Sequence, residues 1–311
     1  MTTIPAQDTQ DKPVLGILLM LGFCVLAPLG DSIAKLLGEV MPLGQLLLVR
    51  FAIQAIVLIP LVILTRRPWQ LRGRLLRLTA LRTGLHIIGI GAMFTALRYL
   101  PLADAIAIAF VMPFIMLLLG KYVLGEEVGY RRLAACVVGF TGTLLVIQPS
   151  FAEVGWPALW PLVVAVGFAL FMLVTRQLAK ETDPIALQAV SGVMASAVLL
   201  PLLLVGDAAG IPDLAFALPD RSLLWLLLAI GLLGTVAHLL MTWSLRFAPS
   251  ATLAPMQYLE IPFATIIGWL IFRDLPDGLA AIGICITVAS GLYVILRERA
   301  TARALARGTP A

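Results

Sequence analysis

Apolar stretches of about 20 residues, long enough to cross a ~30 Å hydrocarbon core at about 1.5 Å per residue, recur from one end of the chain to the other. They predict helices over 13–37, 42–64, 78–99, 103–123, 131–148, 157–178, 186–206, 222–244, 250–272 and 276–296. Turn-type residues mark the joints: Pro42, Pro101, Pro149, Pro157, Pro184, Pro249 and Pro276 all lie at or beside a predicted end. Composition agrees with this pattern. The chain is 61% hydrophobic and 13% charged, whereas soluble domains average about 45–50% and about 25%. A globule this small cannot hide so much apolar surface from water. The expected class is therefore an all-α integral membrane protein with ten transmembrane helices.

The net charge of +5 does not point to nucleic acid, because the basic residues fall in the short connections between spans. Residues 1–12 are polar, with no apolar run and cleavage site of the kind a removable signal peptide carries. If the N-terminus is cytoplasmic, the cytoplasmic ends hold seventeen Lys and Arg (among them Lys12, Arg66, Arg67, Arg82 and Arg176), and the opposite ends hold four: Lys35, Arg98, Arg221 and Arg273. The positive-inside rule then predicts a bacterial inner-membrane protein with both termini cytoplasmic. The loop 66–77, mixing Arg with Trp69 and Leu, is expected to lie on anionic lipid of the inner leaflet. The stretch 206–221 reads as a plain outer loop, and the basic stretch after Leu296 as a solvated tail. Glu126 and Glu127, followed by Arg131 and Arg132, read as an inner turn with local charge pairs, and Asp104 as an acid stabilising a helix start. Cys24, Cys136 and Cys285 lack metal or redox spacing and are expected as small buried hydrophobes. No metal and no cofactor is expected.

The chain resembles itself at a spacing of about 148 residues. Ala96-Leu97-Arg98-Tyr99-Leu100-Pro101-Leu102-Ala103 recurs as Ser244-Leu245-Arg246-Phe247-Ala248-Pro249-Ser250-Ala251, and Pro113 is matched by Pro262. Five spans per repeat is an odd number, so the second repeat must run upside down relative to the first. Arg98 at an outer end and Arg246 at an inner end express that inversion. Inverted repeats are a signature of alternating-access carriers, with a site near the midplane between the halves. The organisation expected is a tail at 1–12, a first repeat at 13–148, an outer connection at 149–156, a second repeat at 157–296 and a basic tail at 297–311.

The run from Ala96 to Pro149, with Leu-Pro-Leu-Ala-Asp-Ala at 100–105, Pro113 and Leu-Gly-Glu-Glu at 124–127, resembles the EamA-type module of the drug/metabolite transporter superfamily. The stretch from Phe247 to Leu296, with Tyr258, Glu260, Pro262 and Leu-Pro-Asp at 275–277, resembles a second copy. The resemblance implies a ten-helix carrier. Within the superfamily the chain is similar to bacterial exporters of amino acids, including aromatic ones.

Polar residues inside spans are costly and mark cavities or buried pairs. Asp31 and Arg50 lie at matching depths on the first and second spans and are expected to form an ion pair, either a staple or a gate. The ninth span carries Gln257, Tyr258, Glu260 and Pro262. Gln257 and Glu260 share a face, and Pro262 is expected to kink the helix and free the carbonyl of Tyr258. Pro113 repeats the kink, with Ile108 and Val111 standing opposite Gln257 and Glu260. One cavity wall would then be polar and the other apolar, which suits an amphipathic solute. His86 and His238 are each proton-linked, cargo-facing or hydrogen-bonded to a neighbour. Tyr99 and Trp243 are candidates for gates or cargo platforms, with interface anchoring as the alternative.

The leading reading is a secondary exporter of amino acids, aromatic or otherwise apolar, or of similar small metabolites. The alternative within transport is a multidrug or nucleotide-related carrier. An enzyme is disfavoured, since no span carries HExxH, GxSxG or a P-loop. The expected partners are a small-molecule substrate, membrane lipids and, if transport is coupled, protons. Nucleic acid is not expected, and one chain holds both repeats, so a monomer suffices.

Overall fold

The computed structural model describes residues 12–123, 125, 129–276 and 278–306. Twelve α-helices follow in chain order: α1 Pro13–Gly38, α2 Leu43–Leu64, α3 Gly73–Leu97, α4 Leu102–Ala109, α5 Met112–Val123, α6 Tyr130–Val154, α7 Trp160–Ala179, α8 Pro184–Ala208, α9 Leu224–Phe247, α10 Ser250–Gln257, α11 Glu260–Phe272 and α12 Gly278–Ala306. Eight stretches are long and apolar enough to cross a membrane, counting 102–123 as one, and two shorter apolar helices, 260–272 and 278–293, bring the crossings to ten. The fold is that of a ten-helix membrane protein. Proline starts many of the helices, as expected where its missing N–H goes unneeded. Pro13 and Pro184 occupy the first turns of α1 and α8, and Pro42, Pro101 and Pro249 cap α2, α4 and α10. Asp183 caps α8 by accepting bonds from the N–H groups of Ile185 and Ala186, each 3.0 Å.

The halves interlock in symmetric pairs. The most extensive helix contacts are α6 with α12, α1 with α9, α3 with α7 and α2 with α8. Exchanging the first five spans for the last five turns α1·α9 into α7·α3 and returns the other two pairs to themselves. A second internal match supports the register: Val-Leu-Ile-Pro-Leu-Val-Ile-Leu at 57–64 in α2 recurs as Val-Leu-Leu-Pro-Leu-Leu-Leu-Val at 198–205 in α8. The copies are inverted. Arg98 bonds Asp213 at 2.6 Å beside the C-terminal end of α1, while Arg246 donates to the carbonyl of Thr182 near the end where the Lys12 N–H bonds the Phe247 carbonyl at 2.9 Å. These two faces are called here the Lys35 end and the Lys12 end.

The prolines of the fourth and ninth spans do something other than kink a continuous helix. Each span is broken outright, at Phe110-Val111 and at Tyr258-Leu259, and Pro113 and Pro262 sit in the first turns of α5 and α11, where no i−4 donor is required. The Tyr258 carbonyl is not left free, because the Ile261 N–H bonds it at 3.3 Å. The breaks are 148 residues apart, one fewer than the prolines, so the counterparts of Gln257 and Glu260 are Ala109 and Met112 rather than Ile108 and Val111.

Other expectations are also revised. The stretch 206–221 is no plain loop: α8 continues to Ala208, Leu214 packs against Gly44 and Gly206, and Ala217 exchanges two 2.8 Å hydrogen bonds with Gln45. In the 66–77 loop, Arg67 and Arg74 are held by Asp183 and Glu181 of the α7–α8 turn at 2.6 and 2.8 Å, so protein carboxylates and not lipid alone fix them. Arg82 and Arg176, counted above as charges at span ends, are buried. Cys24 and Cys136 are buried, but Cys285 is on the outer surface of α12. Helix α12 runs on through the expected tail to Ala306. The charge pairs expected of Glu126 and Glu127 with Arg131 and Arg132, like Asp277, lie outside the described residues or side chains.

Close approach decides the α6–α12 seam. A Cβ on Gly142 would come within 2.6 Å of the Gly283 carbonyl and 3.0 Å of the Thr287 N–H, both backbone atoms that cannot swing away. Gly142→Val is expected to cost about 1–3 kcal/mol, as overpacking does, and to lower the thermal midpoint of the purified protein in detergent. Gly84→Ala, with nothing within 4 Å, should leave it nearly unchanged. Equal midpoints would refute this account of the seam.

Candidate functional site

The two broken spans meet. The rings of Phe110 and Tyr258, counterparts in the two repeats, pack with centroids 5.5 Å apart. Beside this contact lies a cavity walled by α1, α2, α3, α4, α5, α7, α9, α10 and α11. Its α3 residues come from the last turns of that helix, its α9 residues from the first two-thirds and Arg50 from the first turns of α2. The cavity therefore lies between the midplane and the Lys35 end.

Two kinds of side chain face it. Phe23, Phe94, Phe110 and Phe168, with Met93, Met112 and Met172, form an apolar wall of rings and thioethers. Asp31, Arg50, His238, Gln257 and Glu260 form a polar row. Asp31 and Arg50 thus share the cavity, but the expected direct ion pair is not formed: no contact within 4 Å joins them among the described residues. Arg50 turns instead to His238, with Nη2 3.2 Å from Nδ1. It can do so because Gly234 has no side chain; a Cβ there would come within 2.7 Å of the Arg50 Nε. The same Nδ1 lies 2.9 Å from the Gly234 carbonyl, so it serves the guanidinium as an acceptor in one tautomer and the carbonyl as a donor in the other.

Polar atoms without partners cluster around this row. Arg50 Nη1, His238 Nε2 and Gln257 Oε1 are buried and make no hydrogen bond. Gln257 Nε2 has only thioethers near it, 3.0 Å from the Met172 sulfur. Glu260 opens α11 at the break in the ninth span, a helix start where a negative charge is favoured. Unsatisfied buried donors and acceptors cost about 1–3 kcal/mol each, so groups of this kind are expected where a solute or water completes them.

The remaining sequence candidates lie elsewhere. His86 stands one layer behind the cavity, its ring 4.4 Å from that of His238 and 4.5 Å from Phe171, with both ring nitrogens unpartnered. Tyr258 is buried behind Phe110, packed on Gly291 and Gly139. Two candidates for cargo contact are corrected. Tyr99, in the turn after α3, is 51% exposed and faces away from the cavity. Trp243 points to the face of α9 that packs on Leu58, Val62 and Ile185. The apolar wall was not singled out by sequence reasoning. Nothing in hydropathy separates a cavity phenylalanine from a packed one, although the counterpart relation of Met112 to Glu260 was a usable signal.

The geometry makes Arg50 and His238 partners more closely than Arg50 and Asp31. In a double-substitution cycle on thermal stability, Arg50→Met and His238→Phe should couple by about 0.5–3 kcal/mol, and Arg50→Met with Asp31→Asn by less. The reverse order would contradict the contact described above.

Comparison with known proteins agrees with the architecture. The chain is 31% identical over 235 residues, 75% of its length, to a riboflavin transporter of Rhizobium johnstonii, covering 72% of that protein. It is 24% identical over 91% of its length to an S-adenosylmethionine uptake transporter of Rickettsia prowazekii, covering 93% of it. It is 27% identical over 65% of its length to a pseudopaline exporter of Pseudomonas aeruginosa, covering 66% of it. A crystal structure 19% identical in sequence shares the fold with a TM-score of 0.63, covering 93% of this chain and 98% of the other. The profile of the EamA-like transporter family matches residues 14–148 and 155–297, and with both repeats matched the chain belongs to that family.

Proposed function

We propose that the protein is a secondary carrier that moves an amphipathic metabolite with a planar ring and a charged or strongly polar group across the membrane by alternating access. The observation that carries this reading is the divided cavity at the junction of the two broken spans. Its phenylalanines and thioethers suit a flat ring. Its polar row suits a zwitterion or a ring rich in carbonyls: Arg50 for a carboxylate or carbonyl, Asp31 and Glu260 for a cationic or N–H group. Ring-bearing cargo with polar groups, of the flavin or adenosyl-amino-acid kind, is the chemistry carried by the names of the first two relatives. The amino-acid export expected from sequence shares the zwitterion chemistry, but none of the relatives compared above carries that name.

Net direction is left to the gradient, since those relatives include an uptake transporter and an exporter. The Lys and Arg count still favours the Lys12 end as cytoplasmic after the buried Arg82 and Arg176 are set aside, leaving fifteen against four. We therefore read the protein as one of a bacterial inner membrane with its cavity on the outer side. A carrier reading leaves no chemical step to perform, so no enzyme activity is proposed.

Two carboxylates face the cavity with one guanidinium. With both ionised, the site holds one excess negative charge, which a cationic cargo or a travelling proton would balance. Glu260 is the coupling acid of this reading; Asp31 and Cys24 on α1, Arg50 on α2 and His238 on α9 are the titratable or charged groups grouped with it.

Counterflow in proteoliposomes tests the proposal, using riboflavin, S-adenosylmethionine and tryptophan as cargoes. Saturable exchange of riboflavin or S-adenosylmethionine, lost at least tenfold in Arg50→Ala, is the expected result. Exchange of tryptophan alone would restore the amino-acid reading, and exchange of none would remove the proposed cargo class. In the parent, an imposed pH gradient should change the exchange rate. Glu260→Gln should exchange cargo without responding to the gradient; a response retained in that variant would exclude Glu260 as the coupling acid.

A further inference from the structure

We infer that Arg82 is a second binding station for the hydrogen-bond-accepting group of the cargo, used when the cavity opens toward the Lys12 end. The inference rests on the carrier reading above and adds a site to it.

Arg82 lies about 14 Å along α3 from the Lys12 end, at a rise of 1.5 Å per residue, and its side chain is fully buried. Its guanidinium donates to Thr175 Oγ1 at 2.9 Å, Ser191 Oγ at 2.9 Å, Gln188 Oε1 at 3.1 Å and Thr242 Oγ1 at 3.4 Å, and lies 4.5 Å over the Phe171 ring. All four acceptors are neutral, and no carboxylate pairs with it among the described residues. A buried cation held only by neutral oxygens is costly, because its charge stays uncompensated. Beside it Gln188 Nε2 and both nitrogens of His86 have no partner. A permanent helix staple has no use for a full charge or for unpaired donors, and hydroxyls and amides alone would hold these helices together.

The repeat gives the charge a use. In the register set by the two internal matches, with the α1–α2 and α7–α8 turns of equal length carrying the second spacing back to α1 and α7, Arg82 corresponds to Ile230, Ser191 to Arg50, Thr242 to Phe94, Gln188 to Leu47 and Thr175 to Ala34. The first three counterparts line the present cavity. The two repeats are inverted, so an exchange of their arrangements moves the opening to the other face. It also replaces each wall residue by its counterpart. The wall of the opposite-facing cavity then contains Arg82, Ser191 and Thr242. The first repeat thus contributes a buried guanidinium to each arrangement, Arg50 at the α2–α9 interface and Arg82 at the α3–α8 interface, which correspond when the repeats are exchanged. In the present state the four bonds to Arg82 bolt the Lys12 side shut. In the other state they open, and the guanidinium meets water or the carboxylate or carbonyl that Arg50 released.

Site-resolved labelling tests this. Met241 corresponds to Met93, which lines the cavity, and is itself 0% exposed. Met241→Cys and Met93→Cys are reconstituted in liposomes and treated with a membrane-impermeant maleimide from one face at a time, with the labelled position read by peptide mass spectrometry. Position 93 should react from the Lys35 face and position 241 from the Lys12 face. Phe171→Cys, the counterpart of the cavity residue Gly30, replaces Met241→Cys if that variant does not fold. In counterflow of riboflavin or S-adenosylmethionine, Arg82→Gln should raise the half-saturating concentration about tenfold at the Lys12 face and less than twofold at the Lys35 face, with Arg50→Gln giving the mirror image. Absence of labelling from the Lys12 face at these positions overturns the inference whether or not transport is seen, and so does an equal rise at both faces in Arg82→Gln. Failure of the parent to exchange any cargo would instead remove the carrier reading, and labelling at position 241 would then still support the second open state.

Discussion

A backbone surrounded by hydrocarbon has no water to satisfy its N–H and C=O groups, so a helix can be interrupted at membrane depth only where protein or a polar cavity covers the break. Much of this structure follows from how that constraint is met. The interruptions at Phe110-Val111 and Tyr258-Leu259 stand against each other at the centre of the molecule, their rings in contact. Short i−3 bonds, such as Phe110 N–H to the Ala107 carbonyl at 3.2 Å, take up part of the freed backbone, and Pro113 and Pro262 begin the next half-helix without a donor to waste. The reward is a helix start in mid-membrane. Glu260 occupies one such start and Met112 its counterpart, and this difference adds an acid to the polar side of the cavity and a thioether to the apolar one.

Glycine lets the remaining spans come close enough to enclose that centre. Gly142 and Gly283 bring α6 and α12 into backbone contact, and Gly192 does the same for α8 against Phe51 and Ala55 of α2. These are the two helix pairs that map onto themselves when the repeats are exchanged, so they form the natural pivots of a motion that exchanges the others. Small residues at helix crossings are a common solution in membranes, where packing rather than hydrophobicity drives association. Hydroxyls on the same helices bond the carbonyl four residues back, as Thr143, Thr235 and Thr242 do, which keeps them satisfied without a partner on another helix.

The spans, the repeat and its inversion were legible in the sequence because each depends on long-range statistics: runs of about 20 apolar residues and a motif that returns after about 148. The site was legible only in part. Asp31, Arg50, Gln257 and Glu260 were found because a polar residue in an apolar span is conspicuous. The partners of Arg50 were not, since depth along a helix does not reveal which neighbour a long side chain turns toward; the absence of a Cβ at Gly234 decided that. Tyr99 and Trp243 misled because an aromatic residue near a span end has the same sequence signature whether it faces a cavity, lipid or a neighbouring helix. Arg82 was hidden by its position. Nine residues into a helix that begins at Gly73, it lay close enough to the predicted span end to be counted as an interface charge, and only the longer α3 places it in the interior.

The two gates differ in chemistry, and that difference bears on which way the protein rests. On the Lys35 side the residues around the cavity include Ile230 and Phe94; their counterparts on the closed side are Arg82 and Thr242. In the arrangement described, apolar counterparts border the open space while polar ones are sealed in a dry layer. Solvation taken alone favours the reverse, since apolar area gains about 25 cal/mol per Å² on leaving water and a buried guanidinium gains by meeting it. The four hydrogen bonds to Arg82 oppose that preference, each worth about 0.5–1.5 kcal/mol, or about 1.5–3 where a charged donor takes part. The balance is between terms of similar size. In the carrier proposed above, cargo with a flat ring would shift it further by covering Phe94 and Phe168. Binding from the Lys35 side would then stabilise the arrangement seen here, and release of the ring would favour the opening of the other face.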